Sequence, residues 1–595
     1  MVADHYPQFI EEAFIEPIRS VLIVDDDYPT YDEVLHAGGG AGAPENSPAR
    51  KTWHHQRERV RSVISVFRRR QPPLIVDIHD GTNVATKREL AAATHLHQCD
   101  LLVLDYELDR DKPRNGTRAI EIIRALMANH HFNLVVIYTN LDLDVAFDAI
   151  RWGLVAPSTD VLSDTDIDNA MTLIDEGEDT FLNFSRHVAE SVAAEQYFHA
   201  RMNQSSYLGT MARAQQPYAL FTSLADRVNW SGGQRKLVLR YLLKQVESSN
   251  ELSSASTHRF VDLEWSYRGS RWIKSSSAFV ALSKKTDNGD DLLGDLRKAL
   301  AHWSPRPSRL FLTKMRAEMD EYGVAAQAPV LSNHYALAYW YYDLLTADGK
   351  EDRRWRISES LSRHAGQLMQ EMLPRVEEYA TRLIDSEIAS GDSKVICKNH
   401  FGVNLNNNRD GDKAVLEHNI FVCSMDPSGS HLVTGHIFSM NDEPWLCLSP
   451  ACDMVPSQVP NWRTAMIGER LPFIAIRLRP ARATKALEEV HSNRFIFLRI
   501  EGEVKCYCFN DPSVEASAPH WQVLYAEKRG RFSGTDFRFT VSYIKQGKTR
   551  LVSERKKAQV VAQLRYEYAL NLIQKLGVSL TRVGLDFSKW MESVT

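Results

Sequence analysis

Four short apolar runs punctuate the first 165 residues, and each meets a polar residue at or near its end. They are 21–24 (VLIV) before Asp25-Asp26-Asp27, 74–78 (LIVDI), 101–104 (LLVL) before Asp105, and 134–138 (LVVIY) before Thr139. Short β-rich runs without alternation are strands buried on both faces, hence a parallel sheet, when helical patterns separate them. Those patterns are present. In 117–128 (TRAIEIIRALMA), Ile120, Ile123 and Leu126 form one apolar stripe with charges opposite, and 143–154 (LDVAFDAIRWGL) behaves likewise. The predicted N-terminal domain is therefore α/β and covers 1–165, with a long insertion at 28–70. That insertion holds Gly38-Gly39-Gly40-Ala41-Gly42 and the basic patch Arg68-Arg69-Arg70, and it reads as a loop followed by a helix.

Helical spacing dominates 166–390, notably at 181–198, 234–246 and 358–388, with a break expected at Pro374 and β-like stretches at 258–265 and 277–282. Beyond 391 the texture changes. After a polar loop at 403–412 come short runs predicted as strands at 420–424, 432–438, 445–448, 473–478, 494–500, 504–509 and 538–544. A closing helix is predicted at about 554–576, capped by Ser553 and stopped by Gly577. The fold class is thus multidomain, α/β then α then β: 1–165, a helical middle at 166–390, a small barrel or sandwich at 391–545, and a C-terminal helical segment at 546–595.

Composition narrows the function classes. Over 595 residues, 71 basic against 76 acidic side chains give a net charge of −5, which argues for no polyanion partner. The apolar runs are strand-sized and too short to span a bilayer, and the first residues lack the pattern of a secretory signal. Seven cysteines in so long a chain fit a reducing compartment, so a cytoplasmic location is expected.

Candidate chemistry gathers at the strand ends. In an open parallel sheet ligands bind beyond the carboxyl ends of the strands, where Asp25, Asp26, Asp105 and Thr139 would converge. Three carboxylates in one place call for a hard cation such as Mg²⁺, and a carboxylate beside it can attack phosphorus to give an aspartyl phosphate. Here the chain resembles the receiver domain of two-component response regulators. The resemblance implies a flavodoxin-like, doubly wound fold and a histidine kinase or phosphorelay partner. It further implies Asp105 (in LLVLDYEL) as phosphoacceptor, Asp25 and Asp26 with Asp105 as Mg²⁺ ligands, Thr139 as the hydroxyl contacting the phosphoryl group, and Gly116 as the glycine before the following helix. Receivers also carry a lysine at the end of a fifth strand. No lysine lies between Thr139 and Lys236, and the corresponding stretch reads VAPSTDVLSD, so this lysine is expected to be missing. The opening AFIEPIRSVLIVDDDYPT resembles the receivers of phage-defence phosphorelays of the Detocs type. That resemblance implies a phosphate sink or regulator, a role for which acceptance without output would suffice.

Two other function classes stand beside this one: a pseudo-receiver scaffold without chemistry, and a nucleic-acid-binding or ribonuclease effector controlled by the receiver. For the latter, 528–557 hold ten Lys or Arg interleaved with Phe532, Phe537, Phe539 and Tyr543, with Lys528, Arg529, Arg531 and Arg538 as candidate contacts. The plainer reading is a barrel strand whose aromatics fill a core, and a nucleic-acid partner is not expected. Arg297 and His302 have the spacing of HEPN-type ribonucleases, a match that chance readily supplies. His187 and His364 read as surface or core histidines. Cys506 and Cys508 share one strand face, Cys397 lies near His400, and Cys447 near Cys452. Buried thiols are expected there rather than zinc.

Overall fold

The computed structural model describes residues 5–37, 57–81, 99–109, 112, 114–129, 131–155, 161–204, 206–250, 263–266, 269–285, 291–347, 349–455, 465–511, 513, 517–533 and 535–581. The glycine run at 38–42 lies outside them. Two compact units are present, the first ending at Lys314 and the second beginning at Met315.

The first unit is built on a seven-stranded sheet. Its strands are β1 (Ser20–Val24), β2 (Ile75–His79), β3 (Leu101–Asp105), β4 (Asn133–Thr139), β5 (Glu264–Ser266), β6 (Trp272–Lys274) and β7 (Ala278–Lys284), in the order β2-β1-β3-β4-β7-β6-β5. The first five are parallel, and the β5–β6 hairpin continues the sheet antiparallel from β7. Every residue of β3 and β4 is buried, as continuous apolar runs in a doubly covered sheet require. The order reverses beside β1, so a crevice opens between the carboxyl ends of β1 and β3.

The fifth parallel strand is the correction to the sequence reading. It does not follow the helix Leu143–Leu154 directly. Helices Asp164–Thr180, Phe184–Glu190, Ala194–Met202, Tyr207–Ala212, Ala219–Arg227 and Gly232–Ser248 and the β5–β6 hairpin intervene before the chain returns as β7. The stretch 277–282, read as an interruption of a helical domain, is this strand, and 165 is not a boundary of the compact unit. The inserted helices share one core with the sheet. The Trp152 ring stacks on Tyr197 at 4.9 Å between centroids and meets Phe198 at 4.7 Å. Arg151, buried between the Phe147, Phe198 and Trp265 rings, turns its charge to Asp148 and Glu195 at 2.6 and 2.8 Å.

The second unit begins with long helices, among them Gly349–Ser390, which runs through Pro374 where a break was expected. The helix Asn408–Cys423, capped by the Asn407 side chain, replaces the strand predicted at 420–424, of which only β8 (Ser424–Met425) remains. The other strands are β9 (His436–Met440), β10 (Glu443–Cys447), β11 (Leu471–Arg477), β12 (Arg479–Ala481), β13 (Phe495–Ile500), β14 (Glu503–Cys508), β15 (Trp521–Ala526), β16 (Arg538–Gln546) and β17 (Leu551–Leu564). Six close into an antiparallel barrel, β16-β15-β11-β10-β9-β17 and back to β16, while β12-β14-β13 form a separate small sheet. Closure removes the exposed edges an open sheet would present. Phe438, Phe473, Phe539 and Trp445 fill the barrel core.

β17 overturns the helix predicted from 554. Ala558 and Val560 alternate into the barrel core, and past a register shift between Val560 and Ala562 the residues Ala562 and Leu564 alternate into a second core shared with the following helix, which starts only at Tyr566 and runs to Leu580 through Gly577. Charges on the outer part of β17 are met by neighbours: Glu554 meets Lys545 across the ladder and Lys556 on its own strand, and Arg555 meets Glu527. Among the described residues, no helix is long and apolar enough to cross a membrane.

Candidate functional site

The parallel strands deliver four side chains to one place. β1 ends at Val24, so Asp25 emerges at its carboxyl end, buried, with Asp26 half-buried beside it. β3 ends in Asp105 and β4 in Thr139, both buried. The chain that leaves β7 adds Lys285, whose backbone N–H donates to the Thr139 carbonyl at 2.8 Å. Its Nζ donates to Asp105 Oδ2 at 2.7 Å and to Asp25 Oδ2 at 3.0 Å, and it lies 5.2 Å from the centre of the Tyr138 ring. The lysine expected to be missing is therefore present. The sequence did carry a signal, an apolar run (AFVALS) followed directly by Lys284-Lys285. The inserted helices displaced that run from its usual spacing after Thr139.

The turns after the strands fix these side chains. Asp25 Oδ1 accepts from the Asp27 N–H at 2.9 Å, Asp105 Oδ1 from the Glu107 N–H at 3.3 Å, and Thr139 Oγ1 from the Leu141 N–H at 3.0 Å. Lys284 Nζ donates to the carbonyls of Asn140 and Leu141 at 2.6 and 2.9 Å, which holds the loop after Thr139. Gly116 precedes the helix Thr117–Met127, and its reason is close approach: a Cβ there would fall 2.0 Å from the buried Tyr106 ring. Gly116→Ala is expected to displace that ring and cost about 1–3 kcal/mol, read as a lowered melting temperature; an unchanged melt would mean the ring can move freely.

Carboxylate oxygens of Asp25, Asp26 and Asp105 all lie within 4.8 Å of one another, the only such grouping of metal-ligating side chains among the described residues. Burial, reinforced by the Asp25 carboxylate, pushes Asp105 up to about 7 against the pull of Lys285. The Lys285 ammonium is held above its ordinary range because the Asp25 and Asp105 carboxylates outweigh its burial. All-oxygen donors and crowded negative charge suit a hard divalent cation, so these residues fit Mg²⁺. A pH dependence follows. Without a cation, folded Asp105 keeps its proton up to about 7, whereas the unfolded carboxyl releases it near ~4. Stability contributed by this group is full below the unfolded value and is lost as pH rises through the folded one. In EDTA the melting temperature is expected to fall between about pH 4 and 7 more steeply for the wild type than for Asp105→Asn. Parallel slopes would contradict the assignment.

Residues 17–190 match the response receiver domain family. The match ends inside the inserted helices, before β7, so the fifth parallel strand of this receiver-like sheet and the lysine after it come from outside the matched segment. Receivers generally accept phosphoryl groups from histidine kinases or phosphotransfer partners and bind Mg²⁺ at an acidic pocket, so a receiver here points to a phosphoacceptor role in a two-component-like system. Searches of the curated proteins and of the solved structures find no match to the chain.

The remaining candidates sit elsewhere. In the second unit, Lys528, Arg529 and Arg531 cluster at the turn Glu527–Gly530, while Arg538 opens β16. Arg538 pairs with Asp536 at 2.9 Å and Arg529 lies 3.9 Å from Glu469. Phe539 is buried in the barrel core, with Phe532, Phe537 and Tyr543 packed against it, so the aromatics are engaged in packing. Arg297 pairs with Glu11 at 2.8 Å, and His302 Nδ1 accepts from Trp272 Nε1 at 3.0 Å, so both partners of the ribonuclease-like spacing make structural contacts. His187 is exposed, and His364 packs on Trp340. Cys423, Cys447, Cys506 and Cys508 are buried free thiols, and His400 faces Glu387 at 2.9 Å.

Proposed function

We propose that this protein takes a phosphoryl group onto Asp105 from a histidine kinase or phosphotransfer partner and thereby regulates its own second unit or a separate effector. The observation that supports this reading most is the Lys285 ammonium set between Asp25 and Asp105 at the switch point of the sheet. In the transfer, the P–N bond of a phosphohistidine donor breaks, a P–O bond forms to an Asp105 carboxylate oxygen, and the imidazole leaves with the electron pair and takes a proton. Asp25, Asp26 and Asp105 would hold Mg²⁺, which when bound offsets the charge of the phosphoryl oxygens. Lys285 gives up its contact with Asp105 to meet one phosphoryl oxygen, and the Thr139 hydroxyl donates to another; the burial of all three excludes competing water.

A missing lysine would have suited a phosphate sink; with Lys285 in place the sink reading rests on the resemblance of the opening stretch alone. A receiver with its lysine is equipped to relay the phosphorylated state as well as to acquire it. The test is incorporation of phosphate from a labelled small phosphodonor with Mg²⁺, followed by hydroxylamine. The expected product is an acyl phosphate that hydroxylamine releases; no incorporation, or a label stable to hydroxylamine, would overturn the reading.

A further inference from the structure

The inserted helices enclose a recess that shares no lining residue with the carboxylate site. It has a volume of about 540 Å³ and lies between the helices Ala194–Met202 and Gly232–Ser248. Four cationic side chains line it: Lys236, Arg240 and Lys244 from one helix and Arg201 from the other. The acidic side chain among the lining residues is Glu247, which is buried and already engaged: it accepts from Lys244 Nζ at 2.6 Å and from the Tyr197 hydroxyl at 2.9 Å. Asp166, in the field of Arg240, is bound to the Ser163 cap of its own helix.

This charge pattern has a cost. Positions 236, 240 and 244 fall four apart on one helix face, and like charges at that spacing destabilise a helix by about 0.2–0.5 kcal/mol per pair. A chain with a net charge of −5 has acidic side chains in surplus that could have broken up the stripe. Arg201 adds a fourth charge from the facing helix. The walls are fixed, because the Tyr197 ring is clamped on Trp152 and its hydroxyl on Glu247. The remaining lining mixes the apolar Leu162, Ala200, Leu208 and Leu243 with Gln204 and tyrosine rings.

We propose that this recess binds a phosphate ester of a small organic molecule. The Arg201 and Arg240 guanidiniums and the Lys236 ammonium supply the fork-shaped and point-charge donors that phosphate oxygens take, beside Lys244 on its Glu247 partner. The volume falls in the range of small-molecule pockets, and Leu208, Leu243 and the tyrosine rings would cover the organic part.

Isothermal titration of the full chain tests this, with ADP and pyrophosphate as separate probes and EDTA throughout, so that a cation at the carboxylate site cannot contribute. Saturable ADP binding that weakens with salt, is tighter than pyrophosphate, and drops at least roughly tenfold in Lys236→Gln/Arg240→Gln is the expected result. An unchanged melting temperature shows that the double variant is folded; Lys236→Glu, at an exposed position, serves in its place if it is not. Absence of saturable binding, or ADP affinity indifferent to these substitutions, would overturn the proposal. Pyrophosphate binding as tight as ADP would overturn the assignment to an ester.

Discussion

Asp105→Asn is expected to lose phosphoryl uptake completely while the fold survives. The amide keeps the shape of the carboxylate and an oxygen for Lys285, but it cannot form an acyl phosphate. The same change removes one of the three clustered carboxylates, so Mg²⁺ affinity is expected to fall by roughly tenfold or more. It also relieves the repulsion by Asp25 that helps to raise the Asp105 pKa, so the variant in EDTA is expected to melt above the wild type at neutral pH. Label incorporation, Mg²⁺ titration and calorimetry read the three effects in turn. A variant that still takes up label would place the acceptor elsewhere.

Lys285→Met is expected to be the most destabilising single change at the site. The Lys285 side chain is 8% exposed and bonded to two buried carboxylates, and removal of one partner from a buried pair typically costs about 3–5 kcal/mol. A second consequence separates this from a simple packing defect. A cation held by Asp25, Asp26 and Asp105 would neutralise the same carboxylates that Lys285 meets, so loss of the lysine would leave more for it to do. The rise in melting temperature on adding Mg²⁺ should therefore be larger in Lys285→Met than in the wild type. Equal rises would show that lysine and cation act on different groups.

The parallel sheet was legible because its strands are buried on both faces, and an apolar run that stops at Asp25, Asp105 or Thr139 marks both the strand and its functional end. β7 carries the same kind of run, but spacing was the only guide to its place, and spacing fails when whole helices are inserted between consecutive strands. Lys285 was lost with it. β17 was misread for a different reason. Val561, Leu564, Tyr568 and Leu572 fit a helical stripe, while Ala558, Val560, Ala562 and Leu564 fit a strand, and the pairing of β17 with both β9 and β16 decides between them. Short segments with apolar residues at both spacings take the state that their neighbours stabilise. The basic run at 528–557 was open to two readings for a related reason. Charge is visible in sequence, but Phe539 facing a closed barrel is not.

The proposed reaction is phosphoryl transfer to Asp105, with Lys285 and the acidic cluster around it. Its most direct test is peptide mass mapping of the wild-type chain after incubation with Mg²⁺ and a small phosphodonor, with the acyl phosphate trapped chemically. The expected result is one modified site, at Asp105, that disappears when EDTA is included. A modification at another residue, or one that forms equally well in EDTA, would rule out cation-dependent acceptance by Asp105.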